Sequence, residues 1–254
     1  MLLKDKRALI FGVVNQRSIA YGIAKQFQEH GARIALSYAA EPIKKRIEPI
    51  VEELNGEFTV KCDVTSDAEI SEAVAAVEKA WGGVDILVHS IAYANRDDLK
   101  GRFIDTSREG YKLALDVSSF SLVALCRAFE NLFAPGAAVL TISYYGAGKV
   151  VANYNAMGVA KAALEACVRY LAVDLGAKSV RINCISAGPV KTMAASALPG
   201  FTTILHKIEE KSPLKRNITL DDIGKCALYL ASDLSSGTTG DTVFVDCGYN
   251  IMGV

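Results

Sequence analysis

Tyr154-Asn155-Ala156-Met157-Gly158-Val159-Ala160-Lys161 sets a phenol and an ammonium seven residues apart in what reads as a long helix. Seven helical positions are nearly two turns, so both groups leave one face, about 10 Å apart along the axis. A tyrosine can donate a proton to a developing oxyanion, and a nearby cation favours its ionised form. The pair therefore suits chemistry in which negative charge appears on a substrate oxygen. Taken alone it is a weak signal. Ser143-Tyr144, upstream of the pair, and a nucleotide-binding pattern at the start of the chain strengthen it.

That pattern begins with Ala8-Leu9-Ile10-Phe11-Gly12, a strand ending in glycine, which leads through a polar turn to Ser18-Ile19-Ala20-Tyr21-Gly22-Ile23-Ala24. The amides and dipole of a helix N-terminus hold phosphate, and Ser18 stands where a capping hydroxyl belongs. The usual GxGxxG fingerprint is absent, because Val13, Val14, Asn15, Gln16 and Arg17 follow Gly12. Two later segments fall along the expected path of a dinucleotide. Asp63-Val64 follows the third strand, where an adenine edge lies, and Ser90-Ile91-Ala92 follows the fourth. After the second strand comes Ser37-Tyr38-Ala39-Ala40-Glu41, with no cation in the turn to meet a 2′-phosphate. NADH is therefore expected over NADPH, although Lys44, Lys45 and Arg46 are near enough to swing in.

The elements that must position these residues alternate throughout the chain. Strands are expected near 8–12, 33–38, 58–62, 84–89, 137–143, 179–186 and 242–246, and helices near 18–30, 41–54, 67–81, 107–133, 152–175 and 220–232. Such alternation predicts an α/β fold, a Rossmann-type doubly wound parallel sheet of order 3-2-1-4-5-6-7 flanked by helices. Ligands of such sheets bind at the carboxyl ends of the strands. No linker divides the 254 residues, so one domain, 1–254, is expected. The connection 187–219 is longer than usual and reads as a substrate-binding lid before the last helix. Within it Met193, Ala194, Ala197, Leu198, Phe201, Ile204 and Leu205 give one apolar face.

Composition narrows the classes. Lys plus Arg and Asp plus Glu both number 28 and are scattered, which argues against nucleic acid as a partner. Six cysteines form no CxxC pair and read as buried free thiols in a reducing cytoplasm. The three histidines have no metal-ligand spacing, so no metal site is expected, and His89 reads as a packed residue at a strand end. Neither a signal peptide nor a membrane span is expected, since Pro135 and Gly136 interrupt the longest uncharged stretch. Met157, Tyr93 and Phe201 are candidate contacts for an acyl chain.

Together, the chain resembles the NADH-using enoyl-acyl carrier protein reductases, a divergent branch of the short-chain dehydrogenase/reductase superfamily. The resemblance spans essentially the whole chain. It rests on the segment from Ser18 to Ala24, Val88-His89-Ser90-Ile91-Ala92, Ser143-Tyr144-Tyr145-Gly146-Ala147, the stretch from Tyr154 to Ala162, Arg181-Ile182-Asn183, and Ser186-Ala187-Gly188-Pro189-Val190-Lys191-Thr192. It implies that Tyr154 is the catalytic tyrosine, that Lys161 holds the nicotinamide ribose, and that Tyr144 lines the acyl pocket near the thioester carbonyl. It further implies cofactor contacts from Gly12, Ser18, Ile19, Ala39, Asp63, Val64, Ile91, Val190, Lys191, Thr192, Met193 and Ala194, and a substrate contact at Ala94. An acyl carrier protein bearing the enoyl thioester as partner, a homotetramer and a role in bacterial fatty acid elongation follow from the same resemblance.

The chain departs from that pattern in places. Phe11, Val13 and Val14 replace smaller or polar residues, which would tighten a pyrophosphate pocket, and Gly148 replaces an acidic residue. Near the lid only Lys191, His206 and Lys207 could meet an acidic carrier. A carbonyl reductase, such as a 3-ketoacyl reductase, would carry Tyr-x3-Lys and a serine in place of Tyr144; position 158 is glycine here. A non-catalytic nucleotide-binding protein would carry a broken catalytic set, and this one reads as intact.

Overall fold

The computed structural model describes residues 1–192 and 201–253, with only the backbone of Phe201. Seven strands form one parallel sheet in the order β3-β2-β1-β4-β5-β6-β7: β1 Arg7–Phe11, β2 Arg33–Tyr38, β3 Phe58–Lys61, β4 Val84–His89, β5 Phe133–Ser143, β6 Arg181–Ala187 and β7 Thr242–Val245. Both faces are covered, as a parallel sheet requires. Ala8 and Ile10 of β1 enter a core shared with α1 (Ile19–Glu29), α2 (Glu41–Glu53) and α8 (Leu220–Ala231). Leu9 and Phe11 point the other way, into a core with α3 (Asp67–Trp81), α5 (Ser121–Phe129) and α6 (Asn155–Gly176).

The order matches the sequence expectation, and the boundaries differ where the backbone turns left-handed. Gly12, at φ 102°, ends β1, and Ser179, at φ 58°, delays β6 until Arg181. The helix expected over 107–133 is interrupted. It runs as α4 (Arg108–Leu115), widens into a π turn over Asp116–Phe120, resumes as α5 and stops at Phe129. That leaves Phe133 free to open β5, whose register with β4 shifts between Val84 and Ile86. Helix α6 begins at Asn155 rather than 152, because Asn153 sits at φ 61°. In the long connection α7 (Phe201–Lys211) buries Leu205 and Ile208. The lid residues Met193, Ala194, Ala197 and Leu198, and the side chain of Phe201, lie outside the described residues.

At the amino ends of the strands, charges pair with one another. Arg7 donates to Asp85 at 2.6 Å and to the Trp81 carbonyl at 3.0 Å. Arg33 grips Glu57, which also accepts from the Trp81 indole at 2.7 Å. All six cysteines are free thiols, and Cys62, Cys126, Cys184 and Cys247 are buried.

Candidate active site

At the carboxyl end of β1 the backbone of Gly12 comes so close to Ser90 that a Cβ there would run into the Ser90 carbonyl oxygen. Together with its positive φ, this makes glycine obligatory, and the ends of β1 and β4 form one floor. Above it the turn is held by Ser18, but not as expected. The Ser18 backbone caps α1, yet its hydroxyl folds back to accept from the amides of Val14 at 3.0 Å and Asn15 at 3.1 Å. The first amides of α1 are thereby left without a side-chain cap, which is the arrangement that receives an anion at a helix N-terminus.

Of the three bulky residues expected to crowd this turn, Phe11 and Val13 are drawn into the cores, and Val14 stays half-buried in the turn. Phe11 and Val13 are both fully buried, on opposite faces of the sheet. Gln16 and Tyr21 both donate to Glu53, which fastens the turn to the end of α2.

The remaining nucleotide candidates line the same edge. The Asp63 carboxylate accepts from the amide and hydroxyl of Thr65, while its own amide donates to Glu69; Val64 beside it is half-buried. Ala39 and Ala92 are exposed, and Ile91 packs partly into the core. Lys44 places its ammonium over the Tyr38 ring, 5.6 Å from the centroid. Val190 packs on the core at the end of β6, the Thr192 amide donates back to it at 2.7 Å, and Lys191 is exposed. The candidates Met193 and Ala194 lie outside the described residues.

Across the floor stand the two phenols and the ammonium. Tyr144 and Tyr154 meet edge to face, 4.9 Å between centroids. Tyr154 occupies the N-cap of α6 rather than its interior, and its ring lies against Gly146, where a Cβ would strike it. Burial, and then Tyr144, push the Tyr154 phenol well above the ordinary range for tyrosine. This corrects the expectation that Lys161 eases its ionisation: Tyr154 stays a hydrogen-bond donor. Burial likewise pushes Tyr144 up to about 12. Lys161 is only 5 % exposed, donates to the Ile142 carbonyl at 2.7 Å, and is pushed down to about 8 by desolvation. A Cβ on Gly158 would sit 3.0 Å from the Gly146 carbonyl, so a lysine at the position a Tyr-x3-Lys pair would use would press on that backbone.

Of the acyl-chain candidates, Met157 is buried with Ala114, Ala156 and Ala160, against Ala94 and Tyr154. Tyr93 is exposed, and its backbone amide and carbonyl both bond the Ser118 hydroxyl. Tyr145 turns away to meet Tyr249. His89 is wholly buried, its ring nitrogens 2.8 Å from Thr141 and Ser121. Both hydroxyls also donate to carbonyls, Ser121 to Val117 at 2.6 Å and Thr141 to His89 itself at 3.2 Å, so the ring is held from either side. Burial, then the charge of Lys161, push this histidine down to about 3, so it remains neutral. Among the described residues no three His, Cys, Asp or Glu side chains group as metal ligands would.

Sequence reasoning missed three residues that hold this site. Ser118 in the π turn ties down the segment carrying Tyr93 and Ala94. Asn155 donates to the carbonyls of Lys100 and Gly101, joining that segment to the start of α6. Glu165 accepts from Ser143 at 2.6 Å. Only Glu165 left a signal, standing one helical turn beyond Lys161.

A floor for a dinucleotide beside a half-buried phenol and a buried ammonium defines an oxidoreductase of the doubly wound class. Comparison with known proteins narrows it. A sequence model described as enoyl-(acyl carrier protein) reductase matches residues 12–250. The chain is 49% identical over 253 residues to enoyl-[acyl-carrier-protein] reductase [NADH] 1 of Rhizobium meliloti, covering 100% of this chain and 93% of that one. The solved reductase (NADH) of Aquifex aeolicus superimposes with a TM-score of 0.97 at 50% identity, over 100% of both chains. That of Anaplasma phagocytophilum, solved in complex with NAD, gives 0.97 at 47%, over 100% of this chain and 97% of that one. The chain belongs to the enoyl-acyl carrier protein reductase family.

Proposed function

We propose that this chain reduces the trans-2 double bond of enoyl-acyl carrier protein thioesters with NADH, in fatty acid elongation. The observation that carries the proposal is the cluster in which Tyr154, kept protonated by burial, faces Tyr144 across the sheet end from Lys161. Relatives at 49% and 50% identity bear the name NADH enoyl reductase, and the NAD complex of a 47% identical chain supports the cofactor.

The residues present fit a dinucleotide. Gly12 leaves backbone room beside Ser90, α1 offers its uncapped amides, and no acidic or basic side chain stands at Ala39 or Ala40. In this reading the amides at Ile19 hold the pyrophosphate, and Asp63 and Val64 hold the adenine edge. Lys161 holds the ribose hydroxyls with the protons that Ile142 does not take. Ser90, Ile91, Ala92 and the 190–194 segment flank the nicotinamide.

NADH, when bound, supplies the hydride that is added at the β carbon of the substrate. The chain must then stabilise the charge that appears on the thioester oxygen, and the Tyr154 hydroxyl is the donor for it. A proton at the α carbon completes the saturated acyl chain. Tyr144, edge-on to Tyr154, walls the pocket beside the thioester, and Ala94, Met157 and Tyr93 line the acyl chain.

The finer assignments belong to the same proposal. The whole chain acts as one nucleotide-binding unit, with 187–219 as its lid, and takes its enoyl thioester from an acyl carrier protein. It works in the cytoplasm as a homotetramer, in which the exposed Tyr170 and Val173 of α6 and Phe244 of β7 would be covered. No helix among the described residues is long and apolar enough to cross a membrane.

The test is a matrix of NADH and NADPH against enoyl and 3-ketoacyl thioesters, followed at the nicotinamide absorbance. NADH oxidation with enoyl thioesters alone is expected. Turnover of ketoacyl thioesters without enoyl turnover would overturn the reading.

A further inference from the structure

Lys161 and Glu165 stand one turn apart on α6 and seize consecutive residues of β5. The ammonium takes the Ile142 carbonyl at 2.7 Å, and the carboxylate takes the Ser143 hydroxyl at 2.6 Å. The residue after these two is Tyr144. A helix and a strand end are thus fastened at two points, and both the ammonium and the second phenol hang from the fastening.

We propose that Glu165 is a positioning residue of the reaction: by holding Ser143 it fixes the strand end whose Ile142 carbonyl seats the Lys161 ammonium where the nucleotide ribose lies. The proposal rests on the reading that Lys161 holds the nucleotide.

The surroundings of Lys161 support this role. From β4 comes His89, which is neutral. From β6 come the Ser186 hydroxyl, paired in register with Ser143, and the Cys184 thiol. From β5 come Ser143 and then Tyr144, and at the head of α6 stands Tyr154. On the outer side Arg169 donates to the Glu165 backbone carbonyl. Two groups favour the ammonium against desolvation, Cys184 and Glu165. Burial keeps Cys184 a neutral thiol up to about 12, which leaves Glu165 as the acidic group that favours the ammonium. The sign follows. The Lys161 charge is lost as pH rises through its folded value of about 8, and removing Glu165 brings that loss to lower pH.

The experiment compares the parent enzyme with Glu165→Gln, which keeps an acceptor for Ser143 but loses the charge, and Ser143→Ala, which does the reverse. Lys161→Met serves as the control. For each, kcat and the KM for NADH are measured across pH 6 to 10, with thermal unfolding as a check on folding. For Glu165→Gln, the expected result is an alkaline limb of kcat/KM displaced to lower pH by about half a unit or more. Its KM for NADH rises several-fold. Ser143→Ala is expected to raise the KM and leave the limb in place. A Glu165→Gln profile that superimposes on the parent's overturns the proposal. If Glu165→Gln does not fold, Ser143→Ala decides, and a parent-like KM for NADH overturns the proposal. Lys161→Met with a parent-like KM overturns the role of Lys161 itself, which distinguishes that failure from the failure of Glu165.

Discussion

The two ends of the sheet use their polar residues in opposite ways. At the amino ends, Arg7 with Asp85 and Arg33 with Glu57 and Trp81 direct their hydrogen bonds at each other. At the carboxyl ends, the buried Lys161 ammonium bonds one carbonyl, and the hydroxyl of the half-buried Tyr154 has no acceptor among the described residues. Buried polar groups are ordinarily satisfied within the chain. Where hydrogen-bonding capacity is retained in spite of burial, the retention points to a ligand; where it is saturated, to stability.

The comparison predicts that substitutions at one end remove activity with little loss of stability, and at the other the reverse. The largest effect is expected for Tyr154→Phe, a fall in kcat of about 10²- to 10³-fold on an enoyl thioester with the unfolding temperature unchanged. Full turnover would detach the phenol from the chemistry. Gly12→Ala joins both kinds of loss, since it strains a left-handed backbone and collides with Ser90. A destabilisation of roughly 2–6 kcal/mol is expected by denaturant titration, with NADH binding lost. At the opposite end, Asp85→Asn leaves a partly buried Arg7 without its counter-charge. Stability should fall by roughly 1–3 kcal/mol while kcat stays at the parent's value.

Smaller still is the effect of acid on the cap of α8. Arg216, against desolvation and with help from Thr219, holds the Asp222 carboxyl down to about 2. A depressed carboxylate stabilises above its unfolded value, near 4, and that stability is lost as pH falls toward 2. The unfolding temperature of Asp222→Asn should therefore depend less on pH in that window than the parent's does. Arg102→Ala, which opens the exposed pair with Asp105, should change stability by less than about 0.5 kcal/mol.

The fold was legible because burial on both faces writes strands such as Ala8 to Phe11 as uninterrupted apolar runs. Breaks that depend on backbone geometry left no such trace. The π turn at Asp116–Phe120 lies inside an unbroken helical pattern, and a left-handed Asn153 cannot be told from a helical one by composition. Within the site, type and spacing drew attention to Tyr154 and Lys161, and the resemblance to Tyr144; the structure shows Tyr144 and Tyr154 in ring contact. The hydroxyl of Ser18 was assigned to the helix but folded back on its turn, a choice made by the path of the loop. Asn155 and Ser118 act on segments distant in sequence, so their roles emerge only when the chain is folded.

The buried cysteines have a kinetic use. Thiol modification proceeds through the thiolate, and burial pushes Cys62, Cys126 and Cys184 up to about 12, so in the closed protein all three are inert at neutral pH. Their labelling rates become clocks for local opening. Cys184, beneath Lys161, times excursions of the reaction centre; Cys62, at the end of β3, times those of the sheet margin. Cys126, on the buried face of α5, gives the slower reference against which the other two can be read.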